Sequence, residues 1–245
     1  MCTVSIVPTA GGFRLVSNRD ESRSRAIASP PRIVLTDGVR AVMPIDPDSG
    51  GTWVAGSEHG LAFAILNLNL DPSPSGSKNA QSRGEIIPDL LAARTVEEAS
   101  EMLLGRSLES YRPYRLVLAA AGIVCELRQS PPISTCQPLT APVMFTSSGL
   151  GDHLVEAPRR ALFDRMMAGG AADVGDLIER QDRFHAHQWP SERHISVMME
   201  RPEASTVSRT VLLVEGECVH MEYTAVGQQG RNVSITKLYR AQSSK

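Results

Sequence analysis

Cys2 sits at the start of the chain, within Met1-Cys2-Thr3-Val4-Ser5-Ile6-Val7. If the initiator methionine is removed, one residue carries both a thiol and a free α-amine. A thiol needs a base before it becomes a good nucleophile, and an α-amine with a reference pKa of about 7.7–8.0 can be that base. One turn further on stands the polar tetrad Asn18-Arg19-Asp20-Glu21. A carboxylate there could orient the amine, and an arginine could lower the pKa of the thiol. Asp20 and Glu21 both remain open for the first role. On a regular strand Arg19 and Asp20 point to opposite faces, so both reach the site only where the strand bulges or ends.

Other chemistry-bearing residues are spread along the chain. Asn67 follows an apolar run and is a candidate donor to a developing oxyanion. Arg209 lies in a strand-like stretch where burial would require a partner. The arginine-rich stretch from Arg19 to Arg32, with Arg25 at its centre, could face an anionic group or form a solvated loop. His185 and His187 have no Asp, Glu or Cys at ligand spacing, which favours surface or capping roles and no metal site. Trp53 and Trp189 read as packing anchors. The four cysteines Cys2, Cys125, Cys136 and Cys218 form no Cys-x-x-Cys and do not read as a disulfide framework; Cys125 and Cys218 read as buried apolar strand residues.

The elements that must position these residues follow from pattern. Residues 2–7 and 13–18 alternate as strands around Gly11-Gly12. Residues 22–32 read as an irregular loop, with short strands at 33–35 and 40–43 and a turn at 44–51. A second hairpin spans 52–55 and 61–67, its Leu61 to Leu66 arm apolar enough to be covered on both faces. A polar loop at 68–82 precedes helical patterning over 83–93 and a second helix that Thr95-Val96-Glu97-Glu98 should cap. Strands return at 114–120 and 122–127, prolines 131, 132 and 138 break the next stretch, and a strand occupies 142–147. Helices near 157–168 and 173–185 precede strands at 194–199, 207–215, 218–223 and 232–239. Three groups of strands divided by two helical blocks suit an α+β fold of two antiparallel sheets packed face to face, with helices outside, over a single domain of residues 1–245.

Composition narrows the function classes. The 245 residues are 42% hydrophobic and 21% charged, ordinary for a chain with a sizeable core. A net charge of −2 gives no global pull toward nucleic acid or an anionic membrane. No apolar run reaches the length of a transmembrane helix, and no basic, apolar leader pattern opens the chain, so a cytoplasmic location is expected. No Gly-rich nucleotide fingerprint appears, and no cofactor is expected.

Met1-Cys2-Thr3, Asn18 to Glu21, Gly51-Thr52-Trp53 through Leu66-Asn67, and Ser82-Arg83-Gly84 stand in an order that resembles the NRDE family, related to the transport and Golgi organisation protein 2. Thr146 to Leu150, His185 to Pro190 and Ser208-Arg209-Thr210 extend the resemblance over most of the chain. A more distant resemblance, through Cys2, Asn18-Arg19-Asp20, Glu58-His59-Gly60-Leu61, Leu66-Asn67 and Ser208-Arg209, is to the choloylglycine hydrolase and penicillin V acylase group of N-terminal nucleophile hydrolases. It implies an αββα sandwich and cleavage of a non-peptide amide or acyl (thio)ester. Cys2, Arg19, Asp20, Asn67, Ser147 and Arg209 would then be catalytic, and Asn18, Glu21 and Arg25 would bind substrate. Where those relatives carry a second asparagine this chain has Ser147 or Ser148, and a serine is a shorter donor. The rival expectation is a carrier for haem, a lipid or acyl-CoA on the same fold.

Overall fold

The computed structural model describes residues 2–69, 81–106, 108–129, 131–170, 173–227 and 233–240. Two antiparallel sheets stack face to face. The six-stranded sheet runs β10 (Val143–Thr146), β1 (Cys2–Thr9), β2 (Gly12–Ser22), β11 (Ala204–Glu215), β12 (Cys218–Ala225), β13 (Val233–Tyr239). The seven-stranded sheet runs in chain order through β3 (Ser29–Thr36), β4 (Val39–Ile45), β5 (Val54–Ser57), β6 (Ala62–Asn67), β7 (Tyr114–Ala120), β8 (Ile123–Gln129) and β9 (Pro132–Pro138). Helices α2 (Asp152–Met167) and α3 (Val174–His185) cover the first sheet, and α1 (Val96–Leu104) lies against β7 and β8 of the second. This is an αββα sandwich.

Strand periodicity explains why the first sheet can carry polar residues and still bury both faces. In β1, Cys2, Val4 and Ile6 join the core between the sheets, while Thr3 and Ser5 face the helices. In β2, Phe13 and Leu15 enter that core, whereas Arg14 and Asn18 bond to residues of α3. A smaller core of Met144, Leu162, Phe163, Phe184 and Val197 seals α2 and α3 onto the sheet. The tight β3–β4 hairpin takes Asp37 and Gly38 at φ 50° and 79°, the left-handed pair that a two-residue turn of this hand requires.

Several local expectations change. The segment 83–93 forms two short 3₁₀ turns, Arg83–Glu85 and Pro88–Leu90, because Pro88 has no N–H to continue a helix. Pro30, Pro31, Pro132 and Pro138 lie within β3 and β9, which are the two edges of the second sheet, where a missing N–H costs no ladder bond. Residues 194–199 contain a 3₁₀ turn at Arg193–Ile195 and no strand. Cys125 is buried as expected, but it is bonded to Cys136, directly opposite on β9 with the Cα atoms 4.0 Å apart. Strand register, invisible in the spacing, brings the two together. Thr95 does cap α1, accepting from the Glu98 N–H at 3.1 Å, while Glu98 reaches back to the Arg94 N–H at 2.8 Å. Of the expected loop at 68–82, residues 70–80 lie outside the described residues.

One close approach ties the Ser82-Arg83-Gly84 segment to the sandwich. The Thr52 N–H donates to the Gly84 carbonyl at 3.0 Å, and a Cβ on Gly51 would fall 2.4 Å from that same carbonyl. A side chain at 51 must therefore push the Arg83 turn away from the strand. Gly51→Ala should cost about 1–3 kcal/mol, as overpacking of a close contact does. Urea unfolding of the variant measures it, and unchanged stability would show that the two glycines do not need to touch.

Candidate active site

β1 and β2 pair so that Cys2 stands directly opposite Arg19. Both face the interior between the sheets, and both line a cavity of about 360 Å³ with Glu21, Arg25, Asp46, Thr52, Trp53, Asn67, Arg83 and Arg112. Asn67 comes from the end of β6 in the opposite sheet, so the cavity opens where the two sheets' strand ends meet. Cys2 is 5% exposed. Burial pushes its thiol pKa above the usual 9.0, nearby Asp20 and Glu21 add to the rise, and Arg19 opposes it.

Arg19 is held tightly. Its guanidinium donates to Asp46 at 2.7 Å, lies 3.3 Å from Glu21, and sits 4.4 Å above the Trp53 ring. Arg25 binds the same Asp46 at 2.9 Å and approaches Asp48 and Glu21 at 3.5 and 3.7 Å. The Asn67 side-chain amide has no hydrogen-bond partner among the described residues.

The backbone nitrogen of Cys2 donates to Ser147 Oγ at 3.1 Å, and the Ser147 N–H donates to the Cys2 carbonyl at 2.9 Å. Ser147 thus addresses the nitrogen of Cys2 and is not on the cavity wall. Asp20 is fully buried on the helix side of β2, where it accepts from Thr206 Oγ1 at 2.6 Å and feels Arg159 and Arg201. Burial pushes its carboxyl pKa up, and the two arginines oppose that rise. The register slips between Thr206 and Ser208 on β11, which places Thr206 toward Asp20 and returns Ser208 to the core side opposite Arg19. Arg19 and Asp20 therefore do point to opposite faces. Glu21, half-buried, stands in the cavity among arginines.

Asn18 and Arg209 are not on the cavity wall. Asn18 is buried beneath α3, donating to the carbonyls of His185 and Val197 at 2.8 and 3.1 Å. Arg209, its neighbour on β11, pairs with Asp182 of α3. Strand parity puts both on the helix face. His185 is neither a surface nor a capping residue. It is buried, with Ser5 Oγ 2.8 Å from Nε2 and Asn18 Oδ1 3.1 Å from Nδ1. Ser5, His185 and Asn18 mimic the order of a hydrolytic triad, but all three are fully buried under α3. His187 lies edge-on to Trp189, 5.0 Å between ring centres, and Trp189 packs on the smaller core.

Sequence reasoning missed the support beneath Cys2. Arg159, fully buried in α2, donates to Thr3, Thr146 and the carbonyls of Ile195 and Ser196. Arg201 donates to Ser148 Oγ at 3.0 Å and the His194 carbonyl at 2.8 Å. Asp152 accepts from the Ser148 N–H at 2.8 Å and from Asn69. None stands in a local motif, and an arginine in a helix with a polar face gives no sign of being buried.

Similar folds are known among N-terminal nucleophile hydrolases. A Caenorhabditis elegans N-acylethanolamine-hydrolyzing acid amidase ortholog superposes with TM-score 0.58 at 14% identity, covering 86% of this chain and 92% of its own. Two variants of the conjugated bile acid hydrolase from Clostridium perfringens superpose with TM-scores of 0.52 and 0.50, at 14% and 13% identity. They cover 100% and 99% of this chain and 98% of their own. The chain has the fold of that class of hydrolases. By sequence it belongs to the Transport and Golgi organisation 2 family, which matches residues 1–158. No curated protein matches the chain in sequence. Among the described residues no helix is long and apolar enough to cross a membrane.

Burial holds the His185 pKa well below the usual 6.5, and the nearby arginines 209, 14 and 159 act the same way. The unfolded chain takes up a proton at this residue below about pH 6.5 and the folded chain does not, so stability falls as pH drops through that window. Asp20 contributes the opposite slope at acid pH, so the difference between two proteins isolates the histidine. His185→Gln should flatten the fall in Tm between about pH 7 and 5. An unchanged slope would mean that His185 does not carry it.

Proposed function

We propose that this protein hydrolyses a non-peptide amide or acyl thioester of a small molecule, with Cys2 as nucleophile after loss of Met1. The observation that carries the reading is that Cys2, opposite Arg19, shares the wall of one polar cavity with Asn67, whose amide has no partner among the described residues. Because burial raises the thiol's pKa, little thiolate exists near neutrality, so the residue's own α-amine is needed as base. The thiol proton passes to that amine as the Sγ–C bond forms and the carbonyl electrons move onto oxygen. Asn67 Nδ2 donates to the oxyanion. Collapse expels the leaving group, which takes the proton back from the ammonium, and water then releases the acyl group from sulfur.

Asp20 and Ser147 support this from below. Ser147 Oγ accepts from the nitrogen that becomes the amine. Asp20, buried beside it, is the better orienting carboxylate, because Glu21 is turned into the cavity and engaged by Arg19 and Arg25. Arg19 tempers the rise in the thiol's pKa, and Glu21 and Arg25 meet the substrate. Asn18 and Arg209 hold α3 against the sheet.

A carrier for haem, a lipid or acyl-CoA is the second reading. It draws on an adjoining pocket of about 410 Å³, which shares Arg19, Glu21 and Arg25 with the Cys2 cavity and adds Met198, Met199 and Tyr223.

With an activated acyl amide as substrate, Asn67→Ala should lower kcat roughly 100- to 1,000-fold with little change in KM. The rate of the Met1-free protein should rise with pH and level off near about pH 8, where the α-amine is free. Iodoacetamide labelling of Cys2 in protein that retains Met1 should instead keep rising beyond pH 9.0, the ordinary thiol value that burial pushes upward. Full activity in Asn67→Ala, or identical pH profiles for the two forms, would rule out this mechanism.

A further inference from the structure

The four arginines lining the Cys2 cavity are not equivalent. Arg19 and Arg25 are neutralised by Asp46 and Glu21, the two carboxylates on the same wall. Arg83 and Arg112 make no ion pair among the described residues. Their placement is fixed by the backbone. The Gln81 N–H donates to the Ser110 carbonyl at 2.9 Å, and Gln81 bridges to Tyr111, so the segments bearing the two arginines run side by side. The Gly51–Gly84 contact presses the first of these segments onto the cavity rim. Arg83 spends one nitrogen on the Pro113 carbonyl at 3.0 Å. Burial, then the neighbouring Arg112, pushes its pKa down, while Cys2 and Glu21 oppose the shift. The indole N–H of Trp53, on the same cavity, is buried without a partner.

We infer that Arg83 and Arg112 form an oxyanion subsite, so that the substrate is an anionic small-molecule amide or thioester whose carboxylate or phosphate docks on this pair while its scissile carbonyl meets Cys2. Two guanidinium groups left unmatched in a cavity otherwise balanced in charge repel one another when empty. A bound oxyanion removes that repulsion and accepts hydrogen bonds from both planar donors. The location of the scissile bond rests on the reading of Cys2 as nucleophile; the anion subsite itself does not.

The test separates the two. Two probes share a butyryl group: a nitroaniline amide, and the same amide with a ring carboxylate. Their binding to Cys2→Ala protein is read by quenching of tryptophan fluorescence, checked by calorimetry. The carboxylated amide should bind at least about tenfold tighter, as one or two charge-assisted hydrogen bonds allow, and should weaken with added salt. Arg112→Gln and Arg83→Gln should each reduce this preference, and the double variant should abolish it. Arg112 is exposed, so its variant keeps the test decisive should Arg83→Gln fold poorly. Equal affinity for the two probes, binding of neither, or a preference undiminished in Arg112→Gln would overturn the proposal. An arginine-dependent preference with no turnover by the Cys2 protein would keep the subsite and sink the nucleophile reading.

Discussion

A β-strand sends successive side chains to opposite faces, and in β1 and β2 both faces are buried. That constraint divides the labour of the N-terminal hairpin. Cys2 and Arg19 face the space between the sheets, where a cavity opens. Thr3, Asn18 and Asp20 face α2 and α3, where each must find a partner or bear the cost of an unsatisfied buried group. The polar network of Arg159, Arg201, His185, Ser5 and Gln181 answers that need. The hairpin that carries the thiol is thus gripped from behind by hydrogen bonds of defined direction, and the apolar core between the sheets holds it from the front. A side chain on a rigid strand keeps its geometry better than one on a loop.

The same division separates the roles of residues that stand together in the tetrad. Four consecutive residues, Asn18 to Glu21, serve three environments. Asn18 fastens α3, Arg19 stacks on Trp53 beside the thiol, Asp20 is sealed under the hairpin, and Glu21 stands in the cavity. A carboxylate held in low dielectric between two arginines suits the orientation of a nearby ammonium group. A carboxylate already engaged by arginines in the cavity suits contact with a ligand.

Much of this was legible in the sequence. Alternation in residues 2–7 and 13–18 gave the N-terminal hairpin, and the three groups of strands gave the sandwich. Cys2, Arg19, Glu21, Arg25 and Asn67 do line one cavity. What could not be read depends on long-range register. Arg209 looked available because its parity relative to Cys2 is set by pairing with β2. The bond between Cys125 and Cys136 likewise depends on β8 and β9 being adjacent. Arg159 gave no local sign at all, since its partners come from β1, β10 and the turn at 193–195. The prolines of β3 and β9 misled because an edge strand tolerates what a central strand does not.

In the proposed mechanism a free N-terminal cysteine performs acyl transfer in this cavity. Intact-mass spectrometry of the purified protein, before and after a short incubation with an activated butyryl thioester, tests it most directly. The expected result is a chain lacking Met1 that gains one butyryl group on Cys2, and no such gain in Cys2→Ala. A chain that retains Met1 in full, or acylation undiminished in Cys2→Ala, would contradict it.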